Sequence, residues 1–316
     1  MNIVILGWST LTNGDISPER FKNLGNLKVY DVLPEDEVCR VAADANAILL
    51  NRVVITKKII DAVPDLKYIG SFATGYNNID VAYAKQKGIK VTNVPGYSTN
   101  AVATHTFAFL LALCLNIVKY NDHVKNGGWS YAPGANCFPF KTEELEGKTL
   151  GIFGFGNIGK RVAQIAKAFN MNVVFYSKSR HNSNIATQVD FDTLLKMSDF
   201  LSLHAPLSDE TYKIIDENAL SKMKETAYLI NTSRGGLVDE NALANALNCG
   251  KISGAAIDVA ANEPLDNTSP LFTAANCIYT PHVAWGPLET RQRLIDLGYE
   301  NLEKFIMGNP INLVEV

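Results

Sequence analysis

Short β-rich runs alternate with helical patterns along nearly the whole chain of 316 residues. This alternation is typical of parallel strands joined by helices, because a parallel strand needs a crossover that returns the chain to the same end of the sheet. The first series predicts helices at residues 35–45 and 57–62 and strands at residues 2–6, 27–30, 47–50, 66–71 and 90–93. The second series predicts strands at residues 149–153, 172–176, 200–204, 227–231, 254–258 and 277–280.

The two series divide the chain into two α/β domains, as its length also favours, because a single hydrophobic core usually stops growing before this size. We expect two doubly wound parallel-sheet domains, Rossmann-like or flavodoxin-like, with a cleft between them. The first would comprise residues 1–99 plus 287–316, since the last thirty residues form one helical pattern and a short tail. The second would comprise residues 100–286.

A strongly apolar segment opens the second domain. The turn at residues 95–100 ends in good N-cap residues, which predicts that a helix follows over residues 101–120. Because this helix is apolar on nearly every face, it must be buried all round, either in a core or against another subunit. Residues 125–146, which contain Gly, Pro and aromatic residues, predict an irregular segment.

Composition excludes several classes of partner. The net charge of −3 gives no general electrostatic attraction to nucleic acid or to an anionic membrane. The longest apolar run, around residues 107–115, is too short to span a bilayer. The five cysteines are scattered without zinc-ligand spacing, which indicates free thiols in a reducing compartment, and the five histidines share no metal-ligand spacing. We therefore expect a cytoplasmic protein without a metal site.

A G-x-G-x-x-G motif stands at Gly154, Gly156 and Gly159, between an apolar strand and a helical pattern. The next predicted strand closes a βαβ unit of the expected length. Gly154 would allow the tight turn, Gly156 the close approach of a pyrophosphate and Gly159 the packing of helix on strand. With Asn157 and Ile158 the helix begins, and its N-terminal N–H groups would face the phosphates. The motif predicts a dinucleotide site.

Polar side chains follow four strands of the second series where each strand ends. Because ligands bind beyond the carboxyl ends of parallel strands, these side chains predict one shared site. They are His204, the triplet Thr232, Ser233 and Arg234, then Asp258 with Glu263 in the loop after it, and His282.

Reduction of a 2-keto acid needs a cation for the carboxylate, a proton donor at the carbonyl oxygen and a hydride source. Arg234 suits the first role, since its planar guanidinium binds carboxylates bidentately and stays charged. His282 suits the second, because imidazole titrates near neutral pH. A carboxylate such as Glu263 beside it would favour the protonated ring and fix its orientation. A nicotinamide would supply the hydride.

Several motifs resemble, in order and spacing, the signatures of the D-isomer-specific 2-hydroxyacid dehydrogenases. The matching stretches are residues 154–159, 231–239, 258–264 and 280–282, with further matches at 73–80 and 91–100. Within that family, residues 73–78 and 94–99 look most like glycerate dehydrogenases or hydroxypyruvate reductases. The resemblance implies hydride transfer between NAD(P)H and a small 2-keto acid, with hydroxypyruvate or glyoxylate as the expected substrate and D-glycerate as a product.

The resemblance also implies residue roles. It implies a catalytic set of Arg234, Glu263 and His282, with backbone N–H groups near Thr74 and Gly75 holding the substrate carboxylate. It implies a homodimer that forms through the helix from Ala101 onward. The coenzyme contacts that it implies lie at His204, Ala205, Pro206, Thr232, Ser233 and Asp258.

The sequence was also compared with the features of other classes of dinucleotide-binding protein. A dinucleotide-sensing corepressor shares this fold and the Arg, Glu and His set, although the chain has no long basic or disordered tail. L-specific lactate or malate dehydrogenases usually place the glycine loop near the N-terminus, whereas here it begins at Gly154. The formate dehydrogenase branch is disfavoured because its histidine partner is typically Gln, and the matching residue here is Glu263.

The end of the strand at residues 172–176 bears on the choice of coenzyme. NAD-specific members of such folds carry an Asp there, which binds the ribose hydroxyls. Here Ser177 follows the strand, and Lys178, Ser179 and Arg180 come next. Two cations and two hydroxyls without a carboxylate favour a 2′-phosphate, so NADP is expected over NAD. The alternative is a solvated basic turn in an enzyme that uses NAD through its other contacts.

Overall fold

The computed structural model describes residues 1–314, which form two compact units. The first unit consists of Met1–Ser98 together with residues 286–314, and the second of Thr99–Trp285. Each unit is an α/β fold built on one parallel sheet.

The first unit contains a five-stranded parallel sheet in the order β2-β1-β3-β4-β5. Its strands are β1 (Asn2–Leu6), β2 (Asn26–Tyr30), β3 (Ala47–Leu50), β4 (Tyr68–Ser71) and β5 (Lys90–Thr92). Its crossover helices are α1 (Glu35–Val41), α2 (Lys57–Ala62) and α3 (Val81–Gln86), and α10 (Leu288–Ile306) belongs to the same unit. Helix α10 packs on β4, and a Cβ on Gly298 would lie 2.4 Å from the ring of Phe72, the residue that follows β4.

The second unit contains a seven-stranded parallel sheet in the order β12-β11-β10-β9-β6-β7-β8. Its strands are β6 (Thr149–Phe153), β7 (Asn172–Tyr176), β8 (Thr187–Gln188), β9 (Phe200–Leu203), β10 (Tyr228–Asn231), β11 (Gly254–Ile257) and β12 (Cys277–Tyr279). Its helices are α4 (Thr99–Leu115), α5 (Ile117–Lys125), α6 (Asn157–Ala168), α7 (Phe191–Met197), α8 (Glu217–Lys222) and α9 (Glu240–Asn248). The strand order reverses at β6, which lies between β7 and β9, and ligands bind at such a switch point in open α/β sheets.

Burial explains why these runs form parallel strands. Strands β3, β4, β9 and β11 are buried at every residue, as expected when helices cover both faces of a sheet. In the second unit one core lies on each face of the sheet, the first around Leu229 and Leu243 and the second around α4 and α6. The doubly wound fold expected from the sequence is therefore confirmed.

N-cap aspartates fix where several of the helices begin. Asp80, Asp190, Asp216 and Asp239 each precede a helix and accept a hydrogen bond from a backbone N–H of its first turn. A carboxylate at this position satisfies an N–H that has no partner within the helix and also stabilises the positive end of the helix dipole.

The single helix predicted at residues 101–120 is wrong in its extent. Helix α4 ends at Leu115 and α5 begins at Ile117, because Asn116 adopts a left-handed conformation with φ of 50°. Helix α4 packs against α6, β10 and β11, and eight of its 17 residues are buried. In α5, by contrast, Ile117 and Val118 are each 54% exposed, so the expectation of burial all round fails for α5.

Within residues 1–314, no single helix is long and apolar enough to cross a membrane. Helices α4 and α5 have the length and composition of a membrane span only when they are taken together, and the pair is bent by 56° at its junction.

Candidate functional site

The glycine motif connects β6 to α6 at the switch point of the second sheet. Gly154 has φ of 95°, and a Cβ there would lie 2.6 Å from the backbone nitrogen of Ala205. A Cβ on Gly159 would lie 2.3 Å from the carbonyl oxygen of Gly154, so this glycine lets the helix approach the loop. A Cβ on Gly156 would meet nothing within 4 Å. The loop is thus closed on its sheet side and open at the N-terminus of α6, as a pyrophosphate would require.

His204 follows β9 and lies beside this loop. Its Nε2 is 2.8 Å from the hydroxyl of Ser202, and its backbone N–H donates to Phe153 at 2.7 Å. Burial lowers the pKa of the imidazole to about 3, so the ring is neutral at physiological pH. Among the residues described, Nδ1 of His204 is a buried nitrogen without a hydrogen-bond partner. Such an orphaned atom beside an open glycine loop fits a dinucleotide site.

The segment after β9 and the segment after β10 are joined by a hydrogen bond. The hydroxyl of Ser233 donates to the carbonyl oxygen of Ala205 at 2.6 Å. Thr232 is buried, and Pro206 is exposed beyond Ala205. The expected coenzyme contacts at these positions therefore lie on neighbouring loops at the carboxyl edge of the sheet.

Asn231 determines the shape of the turn that carries Arg234. Its buried side-chain amide donates to the carbonyl oxygen of Arg234 at 2.9 Å and accepts from the N–H of Ser233 at 3.0 Å. One guanidinium nitrogen of Arg234 donates to the carbonyl oxygen of Ser233 at 2.7 Å. A Cβ on Gly235 would lie 1.9 Å from the carbonyl carbon of Ala260. Only glycine therefore allows the Arg234 turn to pack against the loop that leads to Glu263.

Asp258 organises the next loop from a buried position. Its Oδ1 accepts from the hydroxyl of Thr280 at 2.5 Å and from the N–H of Val283 at 2.8 Å, and its Oδ2 accepts from the N–H of Ala284 at 2.9 Å. Its backbone carbonyl accepts from the N–H of His282 at 2.7 Å. We refer to residues 280–284 as the His282 loop. Both carboxylate oxygens of Asp258 therefore bind this loop, and a contact of this residue with the coenzyme stays a prediction.

His282 and Glu263 form a direct pair. Nδ1 of His282 lies 2.9 and 2.7 Å from the two carboxylate oxygens of Glu263, and both side chains are about one-quarter exposed. His282 adopts φ of 55°, a conformation that non-glycine residues seldom hold outside turns and functional sites. The carboxylate orients the ring through Nδ1 and leaves Nε2 as the nitrogen for a substrate.

Helix α4 supplies two polar contacts to the site that sequence reasoning missed. Nε2 of His105 lies 3.2 Å from the hydroxyl of Thr280, and the hydroxyl of Thr106 lies 3.1 Å from that of Thr232. The signal in the sequence was the run Thr104-His105-Thr106, which interrupts an otherwise apolar helix. Polar residues inside an apolar helix indicate that they face a polar neighbour.

The turn after β7, residues 177–181, has hydroxyl groups where an acidic residue would select NAD. Lys178, expected as a phosphate ligand, pairs with Glu210, and both side chains are largely exposed. Ser179 and Arg180 are exposed. Exposed ion pairs of this kind contribute little energy, so Lys178 can exchange partners readily.

Thr74 and Gly75 lie in the first unit, in the loop after β4. The hydroxyl of Thr74 donates to the carbonyl of Val94 at 3.0 Å, and the amide of Asn93 donates to the carbonyl of Thr74 at 2.7 Å. In the described part of the chain, the backbone N–H groups of Thr74 and Gly75 make no hydrogen bond to the protein. Two adjacent open donors at the carboxyl end of a strand suit an anion.

Comparison with known proteins gives consistent matches. Residues 107–284 match the D-isomer specific 2-hydroxyacid dehydrogenase, NAD binding domain. The chain is 38% identical to a hydroxypyruvate reductase of Blautia hydrogenotrophica over 99% of both chains. It is 44% identical to a glyoxylate reductase of Thermococcus litoralis over 82% of this chain and 80% of that protein. An acyclic imino acid reductase, solved in complex with NADPH and D-Arg, matches all of both chains with a TM-score of 0.89 at 34% identity.

Proposed function

The chain belongs to the D-isomer-specific 2-hydroxyacid dehydrogenases, enzymes of NAD(P)-linked reduction of small 2-keto acids, and we propose that it acts on hydroxypyruvate or glyoxylate. The observation that carries this proposal is the hydrogen-bonded pair of His282 and Glu263, which presents one imidazole nitrogen as a proton donor. The reductases named above, which match most of this chain, support the two substrates.

Each residue has a distinct role in the proposed reaction. Nε2 of His282 donates a proton to the carbonyl oxygen, and Glu263 keeps the ring in position. The guanidinium of Arg234 binds the substrate carboxylate and polarises the carbonyl group. The nicotinamide, when bound, supplies the hydride to the carbonyl carbon, and the proton from His282 completes the hydroxyl group. We also propose that the open N–H groups of Thr74 and Gly75 bind the carboxylate.

We propose further that NADPH is the preferred coenzyme. The support is the absence of a carboxylate at Ser177 and the presence of Lys178 and Arg180 in the same turn. The imino acid reductase that resembles this chain was solved with NADPH. Glu210 acts against this preference, because it neutralises Lys178.

One panel of assays tests both proposals. We expect the highest kcat/KM with hydroxypyruvate or glyoxylate and NADPH, and lower values with pyruvate, with larger 2-keto acids and with NADH. Ser177→Asp should shift the preference toward NADH, because a carboxylate there repels a 2′-phosphate. A strong preference of the wild-type enzyme for NADH would contradict the coenzyme proposal and leave the reaction proposal standing.

We propose that the enzyme is a homodimer. The exposed apolar side chains of α5 and of the segment after it support this, since several large exposed apolar side chains in one segment indicate an interaction surface. They include Ile117, Val118, Trp129, Tyr131 and Phe138. Light scattering should give twice the mass of 34.6 kDa, and a monomer at micromolar concentration would contradict the proposal.

A further inference from the structure

His181 closes the turn that follows β7. Its Nε2 lies 3.2 Å from the hydroxyl of Ser177 and 3.1 Å from the hydroxyl of Ser179. Its ring contacts Phe155 of the glycine motif edge-on, with 5.9 Å between ring centroids, and lies 6.2 Å from the ring of Phe175 in β7. The imidazole therefore bridges the glycine loop and the two hydroxyls, at the end of the strand where the adenosine ribose of a dinucleotide is recognised in this fold.

Gln188 in β8 fixes the backbone of this turn. Its amide group donates to the carbonyl oxygens of Ser177 and Ser179, at 3.0 Å each, and its carbonyl oxygen accepts from the N–H of His181 at 3.1 Å. The Gln188 side chain thus donates two of these hydrogen bonds and accepts the third. The positions of the imidazole and of the two hydroxyls are consequently set by the fold.

The charged groups around the ring favour an anion. The elements packed against it contribute Phe155, Phe175 and Gln188, which are uncharged. The turn itself contributes Lys178 and Arg180 as cations. The loop after β9 contributes Glu210, whose carboxylate pairs with Lys178.

We propose that His181 is a coenzyme-discriminating residue, whose imidazole binds the 2′-phosphate of NADPH together with the hydroxyls of Ser177 and Ser179. This rests on the proposed NADPH preference and adds a residue to it. In the structure the two hydroxyls and the ring satisfy one another. A hydroxyl can rotate to donate to an anion, and Nε2 of the imidazole donates in the tautomer that carries its hydrogen there, so the same three groups become three donors.

The test is calorimetric binding of 2′,5′-ADP and ADP, which requires no catalysis and no substrate. We expect wild-type protein to prefer 2′,5′-ADP, and His181→Asn to reduce the ratio of the two affinities by about tenfold, as for the loss of one charge-assisted hydrogen bond. Asn182→Ala, an exposed neighbour in the same connection, serves as the matched control and should leave the ratio unchanged.

The outcomes separate the two proposals. Equal affinity of the wild-type protein for the two nucleotides would overturn the NADPH preference and the role of His181 with it. A wild-type preference for 2′,5′-ADP that His181→Asn leaves unchanged would overturn the role of His181 alone.

Discussion

The His282 loop and the turn at residues 177–181 are both connections at the carboxyl edge of one sheet, yet they are fixed by different means. The His282 loop is fixed by the buried carboxylate of Asp258, which accepts three hydrogen bonds from the loop. The turn is fixed by the neutral amide of Gln188, which lies on the two-residue edge strand β8. The first anchor is charged and buried, and the second is neutral and partly exposed.

Because of this difference, the coenzyme preference of such a fold can change while the geometry of the proposed catalytic residues is kept. Removing a buried charged acceptor leaves several N–H and O–H groups without partners, which costs much more than removing a partly exposed amide. The proposed proton donor is therefore held by an anchor that tolerates few changes. The side chains of the turn at residues 177–181 can be substituted while the rest of the site keeps its geometry.

The largest effect should follow from His282→Ala. Loss of the proton donor should lower kcat by about a hundredfold or more, while coenzyme binding and thermal stability change little because the side chain is partly exposed. Steady-state kinetics with saturating keto acid measure the effect, and circular dichroism verifies the fold. A folded His282→Ala variant with wild-type kcat would remove His282 from the mechanism.

The next largest effect should follow from replacing Asp258, which anchors the His282 loop. In Asp258→Asn the side-chain amide presents N–H groups to donors of the His282 loop, so we expect the second unit to lose about 1–3 kcal/mol of unfolding free energy. The displaced loop should also lower kcat by roughly tenfold or more, since small misplacements of catalytic groups are costly. Urea denaturation and kinetics measure the two effects.

Thr280→Val is the matched control for Asp258→Asn, because it removes one of the three bonds to the same carboxylate, together with the contact of Thr280 to His105, and keeps the shape of the side chain. It should cost less in both stability and kcat. Equal losses in the two variants would contradict the role of Asp258 as the anchor of the loop, since the bonds to the backbone of Val283 and Ala284 would then add nothing.

The strands could be predicted from sequence because their physical cause is local. Apolar runs of four or five residues bounded by polar turns gave β6 and β7 with the bounds that the structure has. The break between α4 and α5 at Asn116 could not be predicted in this way. Apolar residues continue on both sides of Asn116, so the hydrophobic pattern does not indicate its left-handed conformation. Strand β8 was missed since it has two residues and exists through its pairing with Val174 and Phe175.

The proposed site residues could be selected from the sequence where a motif contains them, whereas the sequence indicated few of their hydrogen-bond partners. Arg234, Glu263 and His282 follow strand ends or a recognisable motif. His105 comes from a helix 175 residues before its partner Thr280, and no spacing in the chain relates the two. The use of the Asp258 carboxylate by the His282 loop also depends on the tertiary fold. Sequence patterns reveal which groups lie at the edge of a sheet, but the bonds among them require the structure.

The buried imidazole of His204 should make the second unit sensitive to acid. Its pKa is lowered to about 3 by burial, whereas in the unfolded chain it titrates near 6.5. The unfolded state therefore binds the proton first, so the stability that the neutral ring contributes is present above pH 6.5 and is lost progressively as the pH falls toward 3. The loss should approach about 1.4 kcal/mol per pH unit. In His204→Phe this part of the slope should disappear, and parallel stability curves for the two proteins would contradict the assignment.

The smallest effect should follow from replacing Gln188, which anchors the turn at residues 177–181. In Gln188→Ala the carbonyls of Ser177 and Ser179 and the N–H of His181 exchange one amide for water, at little cost because the turn is partly exposed. Global stability should change by less than about 1 kcal/mol. The hydroxyls and the imidazole lose their fixed positions, so the preference for 2′,5′-ADP over ADP should fall by a fewfold, with kcat for the keto acid unchanged at saturating coenzyme. Gln164→Ala, at an exposed position on α6, is the control and should alter neither quantity. If Gln188→Ala instead lowered kcat as strongly as Asp258→Asn, the two regions would be coupled, and the independence of coenzyme choice from catalytic geometry would be wrong.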